Sequence, residues 1–320
     1  MESIKQMRQK ALIISIRSTK LSYKEKILLS KEKPWGIILF ERNIESVNQI
    51  ISLTTQIKKL TKNKKFPIII DEEGKRVSRL KNMLNHNMTA SFFGNLYQED
   101  KNFCINIYKH YILSLNKILK KIGININSIP VLDVLRHNTN KIIGDRSFSK
   151  NKKIVKALGT LLIKYQHLDK IAGIIKHIPG HGAATSDSHK KMPKVFLSKK
   201  KLNKIDLFPF KFSKAKFAMT AHILYTKYDK KNVATFSKTI IKNIIRKKIG
   251  FKGILISDDI SMKALKYNLV ENAKKSIQAG CNLVLYCAGN IDDNYKLIKS
   301  VPYIDKFTSK KTSEFYNFLM

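Results

Sequence analysis

The chain has 320 residues, 43% of them hydrophobic, enough for one large core or two modest domains. It carries 62 Lys+Arg against 23 Asp+Glu, a formal net charge of +39. An excess of this size ordinarily points to nucleic acid or an anionic surface. Here the lysines are spread over nearly every linker and helical segment, as in Lys58-Lys59, Lys120-Lys121 and Lys230-Lys231, and no single stripe carries the charge. With Ile and Asn also abundant, the pattern reads as diffuse, solvated charge from composition, and no nucleic-acid partner is expected.

Three scattered cysteines, Cys104, Cys281 and Cys287, make neither a disulfide framework nor a zinc spacing, and they suggest a reducing compartment. The short apolar run Ala11 to Ile16 after a charged start is too brief for a secretion signal. Nothing approaches the roughly 20 apolar residues of a membrane span. The expectation is a soluble, cytoplasmic monomer with no membrane association.

In chain order, short apolar runs recur with amphipathic segments between them. The runs are Ala11 to Ile16, Trp35 to Phe40, Phe66 to Ile70, Ile126 to Leu132, Ile171 to Ile175, Phe217 to Met219, Ile254 to Ile256 and Leu283 to Tyr286. Short runs rich in β-branched and aromatic residues read as strands buried on both faces, the habit of a parallel sheet. Between them, Val47, Ile50, Ile51, Leu53, Ile57 and Leu60 fall largely on one helical face. A longer helix is predicted over roughly 102–121. A further helix carries Ile240, Ile241, Ile244, Ile245 and Ile249, with Ser237 as N-cap and Gly250 as stop. Eight strands alternating with helices predict an α/β fold, a single (β/α)8 TIM-type barrel spanning residues 1–320 as one catalytic domain. The stretch from about 307 onward reads as a polar, loosely packed tail.

In such barrels the working residues gather at the C-terminal strand ends. The third strand ends in Asp71-Glu72-Glu73-Gly74, the fourth in Asp133 and the fifth in Lys176-His177. The sixth ends near His222, and the seventh in Ser257-Asp258-Asp259. One acid after a strand often caps the next helix, but five such ends together favour a shared pocket.

The fifth strand runs into Lys176-His177-Ile178-Pro179-Gly180-His181-Gly182, followed by Ala183 to Ser186 and then Asp187-Ser188-His189. Pro179, Gly180 and Gly182 make this a loop. A helical zinc pair of His177 and His181 is disfavoured by the Pro-Gly between them, so no metal and no cofactor are expected. A purely structural loop and a serine triad through Ser186 or Ser188 are the competing readings; no Gly-x-Ser-x-Gly elbow supports the latter. A carboxylate two residues from an imidazole, as in Asp187 and His189, can fix the ring tautomer and make a general acid/base near neutral pH. A second carboxylate facing it, Asp258 or Asp259, could then act as a nucleophile.

These segments resemble the bacterial β-N-acetylhexosaminidases of glycoside hydrolase family 3. Lys176 to Gly182 with Asp187-Ser188-His189 resembles their signature. Ile70 to Arg79, Pro130 to Val134, Gly144 to Phe148 and Phe251 to Met262 resemble further family segments, as do Trp35 to Asn43 and Ala279-Gly280-Cys281, in order over roughly 11–290. The resemblance implies that Asp258 is the nucleophile, His189 the general acid/base and Asp187 its partner. It implies Asp71, Arg79, Arg146, Lys176 and His177 as the sugar-binding set. It implies a small-molecule substrate, N-acetylglucosamine linked to anhydro-N-acetylmuramic acid with or without a stem peptide, released during peptidoglycan recycling. Lys75 stands where the family usually has glycine, and it would be strained if that position needed a positive φ. A β-glucosidase or phosphorylase on the same scaffold, and a basic polyanion-binding protein without catalysis, are the rival readings.

Overall fold

The computed structural model describes residues 9–84, 87–187 and 192–320. Eight parallel strands close into a barrel: β1 (Lys10–Ser15), β2 (Pro34–Leu39), β3 (Ile68–Ile70), β4 (Ile126–Asn127), β5 (Ala172–Ile178), β6 (Phe217–Thr220), β7 (Ile254–Asp259) and β8 (Leu283–Leu285). Each pairs with its sequence neighbours, and β8 closes on β1 through Leu12 opposite Val284. Ala11, Ile13, Ile38, Ile69, Ile126, Ile174 and Ile256 fill the inside of the barrel. The alternate residues Leu12, Ile37, Ile68 and Val284 pack outward beneath the helices. Burial on both faces is why these strands are apolar throughout rather than alternating.

The predicted helices form as read. Val47–Leu60 starts at Ser46, whose hydroxyl accepts from the Gln49 N–H. Lys101–Lys121 follows Asp100 as N-cap. The helical segment Ile240–Ile249 has Ser237 Oγ accepting from the Ile240 N–H and ends on Gly250 in the left-handed region, φ 77°. A two-stranded ribbon, Lys194–Val195 with Leu224–Tyr225, lies outside the barrel.

The C-terminal stretch corrects the expectation of a loose tail. Residues Lys306–Phe318 form a helix capped by Asp305. Its Phe315 is fully buried, with ring centroids 5.2 Å from Phe217 and 6.5 Å from Trp35. The Trp35 indole N–H donates to Thr312 Oγ1 at 2.9 Å. Trp35 and Phe217 sit at the N-terminal ends of β2 and β6, so this helix plugs the end of the barrel opposite the strand C-termini. The segment read as polar because Thr308, Ser309 and Thr312 alternate with its aromatics. Those hydroxyls are buried, and the Thr312 and Ser313 hydroxyls donate to carbonyls one turn back.

Among the described residues, no helix is long and apolar enough to cross a membrane.

Candidate active site

At the strand C-termini lies a cavity of about 310 Å³. It is near the small end of the range for small-molecule sites, about 300–1,000 Å³. Asp71, Arg79, Arg146, Lys176, His177 and Asp258, drawn from widely separated parts of the chain, all line it. The barrel therefore gathers six of the eight residues singled out in the sequence.

Three consecutive acids after β3 take three different roles. Asp71 Oδ1 accepts from Lys176 Nζ at 3.0 Å, and its Oδ2 lies 3.3 Å from Arg79 Nη2. Glu72 is fully buried and accepts the backbone N–H groups of Arg79 and Leu80, which folds the loop back over the strand end. Asn127 on β4 holds the backbone of Glu72 from both sides. Glu73 takes Lys176 Nζ at 2.7 Å and receives Arg146 bidentately, Nε at 2.7 Å and Nη2 at 2.9 Å. Burial alone would raise the Asp71 carboxyl, but the Lys176 ammonium and the Arg79 guanidinium reverse this and hold it well below the usual range. Glu73, buried too, is brought down to about 2 by Arg146 and Lys176.

Lys176 is the hub of this network. Its ammonium meets Asp71, Glu73 and Ser128 Oγ, the last at 3.0 Å. Burial disfavours its charge, and the two carboxylates more than restore it. Arg79 lies over the Phe40 ring, 5.1 Å from its centroid, and its buried Nε has no hydrogen-bond partner among the described residues. Arg146 Nη1 donates to the Ile142 carbonyl at 3.2 Å.

The sequence did not single out the pairing of Asp133 with His177. Asp133 Oδ2 receives His177 Nδ1 at 2.7 Å, and Oδ1 takes the backbone N–H groups of His177 and His181. An ionised Asp133 makes Nδ1 the protonated nitrogen and leaves Nε2 as the ring's other face. Burial raises the Asp133 carboxyl, and the His177 and His181 contacts bring it below its ordinary value.

His181 lines the same cavity, and its Nδ1 is buried without a partner among the described residues. Burial pushes its imidazole from the ordinary 6.5 down to about 4, with Asp133 opposing in part. A histidine held neutral means that the folded chain binds fewer protons than the unfolded chain within that window. Stability should therefore fall as pH drops from 6.5 toward 4, by roughly 1.4 kcal/mol per pH unit from this residue. Urea unfolding at pH 7 and pH 5 measures the difference, which His181→Gln should narrow; an unchanged difference would remove His181 from the account.

On β7 the two adjacent aspartates separate cleanly. Asp258 lines the cavity, and among the described residues its carboxylate accepts one hydrogen bond, from the Asp259 N–H to Oδ1 at 2.7 Å. Asp259 is turned away: its carboxylate accepts from Ser261 N, Ser261 Oγ at 2.7 Å and Cys287 N. His222, fully buried after β6, places Nε2 2.9 Å from the Asp259 carbonyl and Nδ1 2.7 Å from Thr235 Oγ1. It braces the backbone next to Asp258 and does not face the cavity. Cys287 does line the cavity, and burial pushes its thiol far above the ordinary value, so it is a poor nucleophile.

The loop after β5 is pinned at its base. Gly180 has φ 129°, and a Cβ on Gly182 would lie 1.8 Å from the Val134 carbonyl oxygen, so only glycine permits this approach. Tyr225 Oη donates to the Gly180 carbonyl at 2.8 Å, and the Asn140 N–H to the Ala184 carbonyl at 3.0 Å. Asp187 lines a shallow surface depression with Arg76, Asn140 and Lys141, separate from the main cavity but sharing Arg76 and Ile142 with it. His189 lies outside the described residues. Among the described residues no cluster of His, Cys, Asp and Glu could hold a metal ion. Lys75 carries no positive φ; Gly74 before it takes that conformation at 116°, so the departure from the family pattern costs no backbone strain there.

The profile of the glycosyl hydrolase family 3 N-terminal domain matches residues 1–309. A β-hexosaminidase of Haemophilus influenzae is 34% identical over 304 residues, covering 92% of this chain and 85% of that protein. One from Neisseria meningitidis serogroup B is 33% identical over 282 residues, covering 86% and 77%. The crystal structure of NagZ from Neisseria gonorrhoeae in complex with N-trifluoroacetyl-D-glucosamine superposes with a TM-score of 0.88 at 30% identity, covering 97% of this chain and 91% of that one. On the extent of these matches, the chain belongs to glycosyl hydrolase family 3 and is a glycoside hydrolase of the β-hexosaminidase kind.

Proposed function

We propose that the chain removes terminal, non-reducing, β-linked N-acetylglucosamine from peptidoglycan fragments with retention of configuration. The substrate in this reading is N-acetylglucosamine joined to anhydro-N-acetylmuramic acid, with or without its peptide, taken as a free small molecule by a monomer in the cytoplasm. The observation that carries the reading is Asp258: a carboxylate open to a single-sugar-sized cavity whose other wall is the Asp71–Lys176–Glu73 network.

In the first step an Asp258 oxygen bonds to the anomeric carbon while the glycosidic C–O bond breaks. The His189 imidazolium gives its proton to the departing oxygen. In the second step water loses a proton to His189 and attacks the anomeric carbon, releasing Asp258. Asp187 orients the His189 ring and stabilises its cationic form. Asp71 and Lys176 grip sugar hydroxyls, as acceptor and donor held in register by their own ion pair. His177 presents Nε2 with its tautomer fixed by Asp133. Arg79 and Arg146 shape the carboxylates and retain N–H groups for the substrate.

The pairing of Asp133 with His177 raises a second assignment, in which that dyad moves the proton and His189 does not. His189→Ala should slow a substrate with a poor leaving group far more than an activated aryl glycoside, and it should remove the alkaline limb of the pH–rate profile. His177→Gln should instead raise KM for both substrates with the limb intact. The reverse pattern would transfer the acid/base role to His177. Comparing aryl glucoside with aryl N-acetyl-β-glucosaminide, with and without phosphate, tests the glucosidase and phosphorylase readings together.

A further inference from the structure

The opposite end of the barrel holds a second cavity, of about 200 Å³. Three separate segments build it. The turn leading into β6 contributes Lys214 and Lys216, the turn leading into β7 contributes Lys252, and the helix Lys306–Phe318 contributes Lys311 and Glu314. Four lysines thus line the cavity beside a single carboxylate. That carboxylate is already committed, with Glu314 Oε2 2.7 Å from Lys311 Nζ. Lys214, Lys216 and Lys252 have no carboxylate within ion-pair distance among the described residues. Lys216 is half-buried, with its ammonium 4.4 Å from the centroid of the Phe318 ring. Lys170, from the turn into β5, reaches the same ring at 5.8 Å and adds a further positive charge nearby.

Like charges held together in a concavity are costly unless something neutralises them. Burial, together with Lys311 and Lys170, pushes the Lys216 ammonium below its ordinary value, with Glu314 opposing. Lysine is a point-charge donor suited to phosphoryl oxygens, whereas recognition of a planar carboxylate favours the arginine fork. Among the described residues no arginine lines this cavity. The volume admits a short chain of phosphates and excludes a folded polymer.

We propose that this cavity is a binding site for a small polyvalent phosphate, a di- or triphosphate group, which clips the last helix to the turns before β6 and β7. The ligand's oxygens replace the missing counter-charges of Lys214, Lys216 and Lys252 and bridge them to Lys311. The site lies at the end of the barrel remote from Asp258 and is independent of the reading of the active site.

Titration calorimetry and thermal unfolding of the full chain, with inorganic pyrophosphate and triphosphate against sodium chloride of matched ionic strength, test this. The expected result is saturable binding at one site per chain and a rise in Tm beyond that of the salt control. Lys214→Gln/Lys252→Gln, two exposed positions, should weaken binding by about tenfold or more while leaving aryl glycoside hydrolysis unchanged. Lys230→Gln/Lys231→Gln, an equal charge change at the other end of the barrel, should leave it intact. A nucleoside triphosphate binding like inorganic triphosphate would place recognition in the phosphates, and a tighter nucleotide would add a base contact beside the same lysines. Equal losses in both double variants would assign the binding to the diffuse charge and overturn the proposal, as would the absence of saturation.

Discussion

Asp258→Ala is expected to abolish hydrolysis of an aryl N-acetyl-β-glucosaminide, a loss of about four orders of magnitude or more in kcat, or ~5 kcal/mol of barrier. The neighbouring Asp259 cannot take over. Its carboxylate is held by Ser261 and the Cys287 N–H, and burial raises it toward the neutral form, with Asp258 adding to that shift. The variant should remain folded, because among the described residues Asp258 accepts a single hydrogen bond, from its own neighbour. Far-UV circular dichroism and urea unfolding check the fold beside the kinetic assay. Residual turnover within tenfold of the native rate would remove Asp258 from the nucleophile role.

Lys176→Met should cost both stability and activity. The ammonium joins Asp71 and Glu73, and without it two buried carboxylates lose their shared cation, leaving Arg79 beside Asp71 and Arg146 beside Glu73. Removing one partner of a buried ionic network typically costs about 3–5 kcal/mol. The pH dependence has a definite sign. The depressed Asp71 and Glu73 carboxyls stabilise the native chain above their unfolded pKa, and this contribution disappears as pH falls through the folded values, about 2 for Glu73. In the variant the same carboxyls move up and protonate earlier. The gap between native and variant stability should therefore be widest near pH 7 and narrow toward pH 3. Urea unfolding across that range measures it, and a gap independent of pH would mean that the loss is packing rather than charge.

Much of this was legible because each barrel strand is a short apolar run buried on both faces, so all eight could be placed. Their limits were less so. Lys176 and His177 lie inside β5, which runs on to Ile178, while β4 stops at Asn127 although the apolar pattern continues to Leu132. The ribbon Lys194–Val195 with Leu224–Tyr225 is too short to leave a periodic signal. The last helix was obscured by its buried hydroxyls, of which Thr312 donates to a carbonyl of the same helix while accepting from Trp35, and Thr308 accepts from Asn282. In the site, residue types pointed to the ends of β3, β5 and β7, which line the cavity, and also to His222 and Asp133, which do not line it; partnerships did not follow from them. Glu73 meets Arg146 across 73 positions and Asp133 meets His177 across 44, and neither pairing has a local signature. Asp258 and Asp259 are indistinguishable by type, and the structure separates them by which carboxylate is already satisfied. The charge shows the same limit: lysines spread along the chain converge on one cavity only when the turns before β6 and β7 and the last helix come together.

The most direct test of a retaining mechanism on Asp258 is to trap the glycosyl-enzyme. A fluorinated N-acetylglucosaminyl fluoride, with a good leaving group and slowed turnover of the intermediate, should add one sugar mass to the intact chain. Peptide mapping should then place that mass on Asp258, with no adduct on Asp258→Ala. An adduct on another residue, or a product of inverted configuration with no adduct at all, would contradict the account.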